Sequence, residues 1–169
     1  MKWINHTIVA GSLTAIINPL AVPAAIVGGI APDYLEKMLA VKRHRMETHY
    51  AIYWIAATLF SIFVYDFYGI LFGLAFGGLT HVIVDALNVT GIPFAPWSQQ
   101  KSTIFGGKVP FGSPLEYMIS FSIFIISCFI IYHTRTTGNF SPFFIHWGEL
   151  YEEGIIDAYE WRMNRLKIF

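Results

Sequence analysis

Residues 7–30 read TIVAGSLTAIINPLAVPAAIVGGI, an apolar run without formal charge that is broken by Asn18-Pro19 and again by Pro23. Proline removes a backbone donor and pushes the residue before it out of the helical region. The spacing therefore predicts a helix from about Asn5 to Ile17, a turn, and a second helix from about Val22 to Ala31. Each would be ~15–20 Å long at 1.5 Å per residue, short of the ~30 Å of hydrocarbon in a bilayer. The pair reads as a re-entrant hairpin that dips into a membrane and returns, its broken backbone covered by protein. A leader peptide is the competing reading, because Lys2 precedes an apolar run rich in small residues. Cleavage would discard His6, which argues against it.

The rest of the chain has the same character. Of 169 residues, 55% are hydrophobic and only 13% charged, with a mean hydropathy of +0.53. A soluble domain carries about 25% charged residues, so the deficit points to an integral membrane protein. Net charge is zero, which gives no electrostatic footprint for nucleic acid. The single cysteine, Cys128, lies in an apolar run and excludes both an intramolecular disulfide and a cysteine-based zinc site. Further apolar blocks span 50–65, 67–87 and 117–132, with Asp66 between the first two. Gly69, Gly73 and Gly77 recur at spacing four, which lets helices approach closely in lipid. Residues 88–114 are rich in Gly, Pro and Ser and read as a long ordered loop. From Trp147 onward, Tyr151, Ile155, Tyr159 and Met163 mark an amphipathic helix. The expected class is thus all-α: a polytopic helical membrane protein with a re-entrant N-terminal hairpin, about three spanning helices and a C-terminal amphipathic helix. Residues 1–135 form the membrane-embedded domain and 136–169 the tail.

Against this background His6, Asp33, His44, His49, His81 and Asp85 stand out. Imidazoles and carboxylates bind borderline divalent metals, and ionisable groups are costly near a bilayer unless they serve a site. His81 and Asp85, four apart, share a helix face; the bland alternative is a hydrogen-bonded pair inside the bundle. His44 and His49, five apart, need a loop or helix start to turn inward together. Asp33 has an alternative role as N-cap of a helix starting near Tyr34. If 50–65 and 67–87 pair antiparallel and the first hairpin is re-entrant, all six converge on one face with Glu116 and the 88–115 loop. Asp66, His133 and His146 fall on the other. Arg45, between the two histidines, is the candidate contact for a negatively charged substrate, while Lys37, Lys42 and Arg43 suit anionic lipid head groups.

Ordered motifs over residues 6–116 carry a family resemblance. Ile30-Ala31-Pro32-Asp33, His44-Arg45-Met46-Glu47-Thr48-His49, Thr80-His81 through Asp85-Ala86-Leu87 with Gly91 and Pro93, and Gly112-Ser113-Pro114-Leu115-Glu116 resemble the motifs of the YdjM-like family of membrane-bound metal-dependent hydrolases of the LexA-regulated type. Leu35 and Glu36 depart from it, standing where the family has a second aspartate and then a histidine. The resemblance implies a metal site more strongly than a reaction.

The residues and the resemblance together predict a membrane-bound metal-dependent hydrolase acting on a phosphoester or lipid-linked substrate through a metal-activated water. Expected ligands are His6, Asp33, His44, His49, His81 and Asp85, holding roughly one to three divalent ions, zinc first and manganese second. Arg45, Glu47 and Glu116 are the catalytic candidates, Arg45 for substrate charge and either glutamate as general base. Expected partners are membrane lipid and the lipid-linked or phosphoester substrate. The expected location is a bacterial or archaeal cytoplasmic (inner) membrane, with the site on the cytoplasmic side by its excess of Lys and Arg. A non-catalytic metal-binding membrane protein, structural or adaptor, is the alternative. A transporter ranks last, because 117–132 has no ionisable side chain in its interior.

Overall fold

The computed structural model of the chain describes residues 1–39, 45–64, 66, 68–98, 100–137, 151, 152, 154 and 157–160. The N-terminal run folds as its prolines require. Helix α1 (Trp3–Ile17) stops at Asn18, whose Oδ1 accepts from the Leu20 amide at 3.0 Å, and a short 3₁₀ turn (Pro19–Ala21) leads into α2 (Val22–Gly28). The second arm is shorter than its sequence suggests. It ends at Gly28, and α3 (Ala31–Met38) begins afresh with Pro32 in its first turn, where a missing amide costs nothing. Asp33 is accordingly not an N-cap: that position belongs to Ile30, and Asp33 sits within the first turn, where the helix dipole favours a carboxylate.

Helices α4 (Ala51–Phe63) and α5 (Ile70–Asp85) lie antiparallel, with Ala51 and Trp54 packed on Val82 and Ala86. Gly69, at a φ of +63°, caps α5 in the left-handed conformation that glycine adopts without penalty. The glycine ladder then does what its spacing predicts. A methyl group at Gly73 would collide with the Ala21 carbonyl, at Gly77 with that of Ala25, and at Gly28 with that of Leu74. Without side chains between them, α2 and α5 meet backbone to backbone. The hairpin tip therefore abuts the start of α5, and its open end returns to the His81–Asp85 end.

The 88–113 segment folds back over that same end. The Ile104 amide donates to Ala86 O at 2.7 Å, and a two-stranded antiparallel ribbon pairs β1 (Ile92–Pro93) with β2 (Lys101–Ser102). This ribbon and an isolated bridge between Asn88 and Val109 are the strand-like pairings among the described residues. Helix α6 (Pro114–Thr137) contains the segment Pro114–His133, 20 residues of mean hydropathy 2.0 and only 17% buried. At 1.5 Å per residue it matches ~30 Å of hydrocarbon, and it is the one described helix long and apolar enough to cross a membrane. Helices α1, α4 and α5 are apolar but shorter, so the expected set of about three spans reduces to one by length. Most of the expected C-terminal amphipathic helix, including Ile155 and Met163, lies outside the described residues, as does His146.

Candidate metal centre

Three elements deliver four candidate donors to the same point. Asp33 comes from the first turn of α3, His49 from a 3₁₀ turn (Glu47–His49) just before α4, and His81 and Asp85 from successive turns of α5. His49 Nε2 lies 3.3 Å from Asp33 Oδ1 and 3.8 Å from Asp85 Oδ2. His81 Nε2 lies 3.6 Å from Asp33 Oδ1 and 3.5 Å from Asp85 Oδ2. One atom from each residue fits within 4.8 Å of all the others. Four ligands on a tetrahedral ion at ~2.0–2.1 Å would stand about 3.3 Å apart, close to these four edges. His49, His81 and Asp85 are fully buried, while Asp33 reaches a cavity.

Each donor is aimed by its neighbours. His81 Nδ1 faces Gly29 O at 2.6 Å, and a carbonyl only accepts, so Nδ1 carries a proton and Nε2 is the atom left to ligate. That contact exists because the glycines of α2 and α5 let the two backbones touch. Trp3 Nε1 donates to Asp33 Oδ2 at 2.8 Å, leaving Oδ1 for the imidazoles. His49 Nδ1 lies 3.0 Å from Thr48 Oγ1 and 3.5 Å from a Glu36 oxygen. Asp85 is divided: Oδ1 accepts from Arg45 at 3.0 Å, Asn88 at 3.2 Å and the Met1 amino group at 2.6 Å. Its Oδ2, like His81 Nε2, is buried with no hydrogen-bond partner among the described residues. Two orphaned buried atoms at the centre of a His₂Asp₂ set fit a divalent cation. Burial alone would raise the Asp33 carboxyl, but the adjoining His49 and His81 imidazoles hold it well below the usual carboxylate range. Burial pushes the His49 imidazole down, outweighing the nearby Asp33 carboxylate, and so favours the neutral form that ligation requires.

The other expected site residues fall in distinct places. His6 is buried and stacked on His81, with ring centroids 3.7 Å apart, and its Nε2 is 3.4 Å from Asp85 Oδ1. Arg45 is buried at a φ of +56°, a conformation rare outside glycine, and its guanidinium bonds Asp85 and, at 2.6 Å, Thr90. Glu116 is buried but separate. Its carboxylate accepts from the Lys2 amide, from Asn5 at 2.8 Å and from the Gly112 amide at 2.5 Å, tying α1 and the loop to α6. Glu47 is exposed and makes no hydrogen bond or ion pair to the cluster among the described residues. His44 lies outside the described residues. Among the groups that do not face it, Asp66 accepts from the Leu71 amide at the far end of α5, and His133 stacks on Phe129.

The supporting residues were harder to read in the chain. Asn88, three residues after Asp85, carried a detectable signal. Gly29, Trp3 and Thr90 did not, because their roles depend on which helices touch.

The sequence model of the YdjM inner membrane protein family matches residues 1–147. No curated protein and no solved structure matches the chain. With the motifs, the membrane-length α6 and a buried donor set able to hold a metal ion in place, the chain belongs to the YdjM inner membrane protein family.

Proposed function

We propose that this inner membrane protein is a metal-dependent hydrolase acting on a phosphoester or lipid-linked substrate at the membrane surface. The carrying observation is the convergence of Asp33, His49, His81 and Asp85 at a buried point whose Asp33 edge opens into a cavity of about 360 Å³. A bound divalent ion, zinc or manganese by donor type, would polarise the substrate and bring the pKa of a water toward ~7. The protein's own contribution is pre-organisation. Gly29 holds His81 in one tautomer, Trp3 orients Asp33, and Arg45 with Asn88 fixes Asp85 so that Oδ2 faces inward. Arg45 also lines the cavity, where its cationic edge attracts substrate charge. Glu116 is saturated by three donors and Glu47 stands clear of the cluster, so we assign proton acceptance to Glu36. Its carboxylate lines the cavity beside His49. We place the site at the cytoplasmic surface, with α1, α2, α4 and α5 embedded beside α6. The exposed apolar residues Leu59, Phe60, Phe63 and Leu71 support the embedding of α4 and α5.

A specific observation favours a second reading. Four protein donors complete a tetrahedral shell, which is the mark of a structural zinc site, whereas catalytic sites keep a position open. Plasma mass spectrometry of detergent-purified protein, paired with hydrolysis of bis-para-nitrophenyl phosphate, separates the two. Stoichiometric metal with turnover, both lost in a His49→Ala plus Asp85→Ala variant, supports the hydrolase. Metal without turnover, and a thermal midpoint that collapses on chelation, supports the structural site.

A further inference from the structure

Arg45 and Phe111 stand between two cavities of opposite character. The first, about 360 Å³, is lined besides by Met1, Lys2, Trp3, Asp33, Glu36 and Lys37. The second, about 290 Å³, is lined by Asn88, Val89 and Thr90, and Arg45 is its one charged residue. That guanidinium is already bonded to Asp85 and Thr90. Both volumes are at or near the lower end of the range for small-molecule sites, ~300–1,000 Å³. In the first cavity Lys37 Nζ stands 4.3 Å from the centre of the Trp3 ring, and Lys2 Nζ lies 5.5 Å from that of Tyr117. Aromatic faces hold an ammonium in place without neutralising it. Neither lysine forms an ion pair among the described residues, whereas Asp33 and Glu36 already accept from Trp3 and from the Arg45 amide. The cavity thus presents two ammonium groups without an ion pair among the described residues, beside the Asp33 and Glu36 carboxylates, and it borders Asp33, the one donor of the cluster that is not fully buried.

Resting on the hydrolase reading, we infer that the substrate is bipartite and straddles Arg45. Its phosphate lies between Lys2 and Lys37 against the Asp33 edge of the cluster. Its uncharged ester substituent passes Phe111 into the cavity beside Val89 and Thr90. The two halves make separate demands. Charge recognition belongs to the lysines, and accommodation of an apolar chain belongs to the Val89 side. Phe111 is exposed at the mouth between them, as a contact for an amphiphile entering from the membrane surface requires.

Isothermal titration of the full-length, metal-loaded protein in neutral detergent tests this with three probes: hexyl phosphate, inorganic phosphate and hexanol. Hexyl phosphate binds about tenfold tighter than inorganic phosphate, and hexanol gives no measurable heat. Lys2→Gln plus Lys37→Gln weakens hexyl phosphate by about tenfold or more, with metal content and thermal midpoint unchanged. Val89→Trp fills the second cavity, removes the advantage of hexyl phosphate and leaves inorganic phosphate unaffected. Equal binding of the two phosphates in the wild type would mark a free-phosphate site and overturn the inference. So would absence of binding, or indifference to either variant. Release of hexanol is read separately. Binding of this pattern without hydrolysis removes the hydrolase reading and leaves the two-part site standing, whereas hydrolysis undiminished in the lysine variant removes the two-part site alone.

Discussion

Asp85 and Glu116 are both fully buried acids at the same end of the helices, about one loop apart in sequence, yet their surroundings differ in kind. Glu116 meets only donors: two backbone amides and the Asn5 side chain. Its charge is fully answered by the fold, so it acts as a fastener between α1, the loop and α6. Asp85 has donors on Oδ1 only, while Oδ2 lies 3.8 Å from His49 Nε2 and 3.5 Å from His81 Nε2 with no hydrogen bond among the described residues. An acid whose acceptors are all satisfied stabilises structure. An acid with one buried oxygen left without a donor suits a cation ligand, because leaving such an oxygen unsatisfied is costly. Both Asp85 and Glu116 are fully buried carboxylates, and their neighbours tell them apart.

The comparison breaks if the two acids respond alike. The largest effect is expected at Asp85→Asn, which removes a ligand charge. Metal content by plasma mass spectrometry falls from stoichiometric to near zero, and the buried Arg45, deprived of its partner, costs about 3–5 kcal/mol of stability. Next comes Gly77→Ala. The added methyl pushes α2 from α5 and pulls the Gly29 carbonyl off His81, so metal affinity by competition with a chelator drops roughly 10–100-fold, with the ligands themselves unchanged. Glu116→Gln sharpens the contrast: it costs about 1–3 kcal/mol, seen as a lower thermal midpoint in detergent, while metal content stays at the wild-type value. A loss of metal in that variant would join Glu116 to the centre. The smallest effect is expected at Trp3→Phe, which deletes one exposed hydrogen bond to Asp33. Metal affinity falls by about tenfold or less and stability by about 1 kcal/mol.

Much of the site was legible in the chain because it depends on local spacing. His81 and Asp85 share a face of α5 by their separation of four, and the prolines and Asn18 turn residues 3–28 into a hairpin whose ends return together. Alternation of direction then brings His6, Asp33 and His49 to the same end. Asp33, His49, His81 and Asp85 were all named from these features, and they make up the donor set. Misplacements came where local rules underdetermine the outcome. Asp33 after Pro32 suits an N-cap or a first-turn position equally well, and the dipole accepts it in either. Glu116 carries the same chemical signal as Asp85, and nothing in its sequence neighbourhood announces that two amides will claim it.

Sequence alone, then, carried the membrane character, the family and, among six candidate ligands, the four residues that cluster as a group able to hold a metal ion. Apolar composition, proline position and residue spacing act within a turn or two of helix, whatever the rest of the molecule does. Tertiary structure alone decided which carboxylate oxygen faces the centre, which imidazole nitrogen meets the Gly29 carbonyl, and that Arg45 lines both a charged and a largely apolar cavity. Those outcomes turn on distances of a few tenths of an ångström between helices. They are set by how closely the glycines of α2 and α5 allow two backbones to approach.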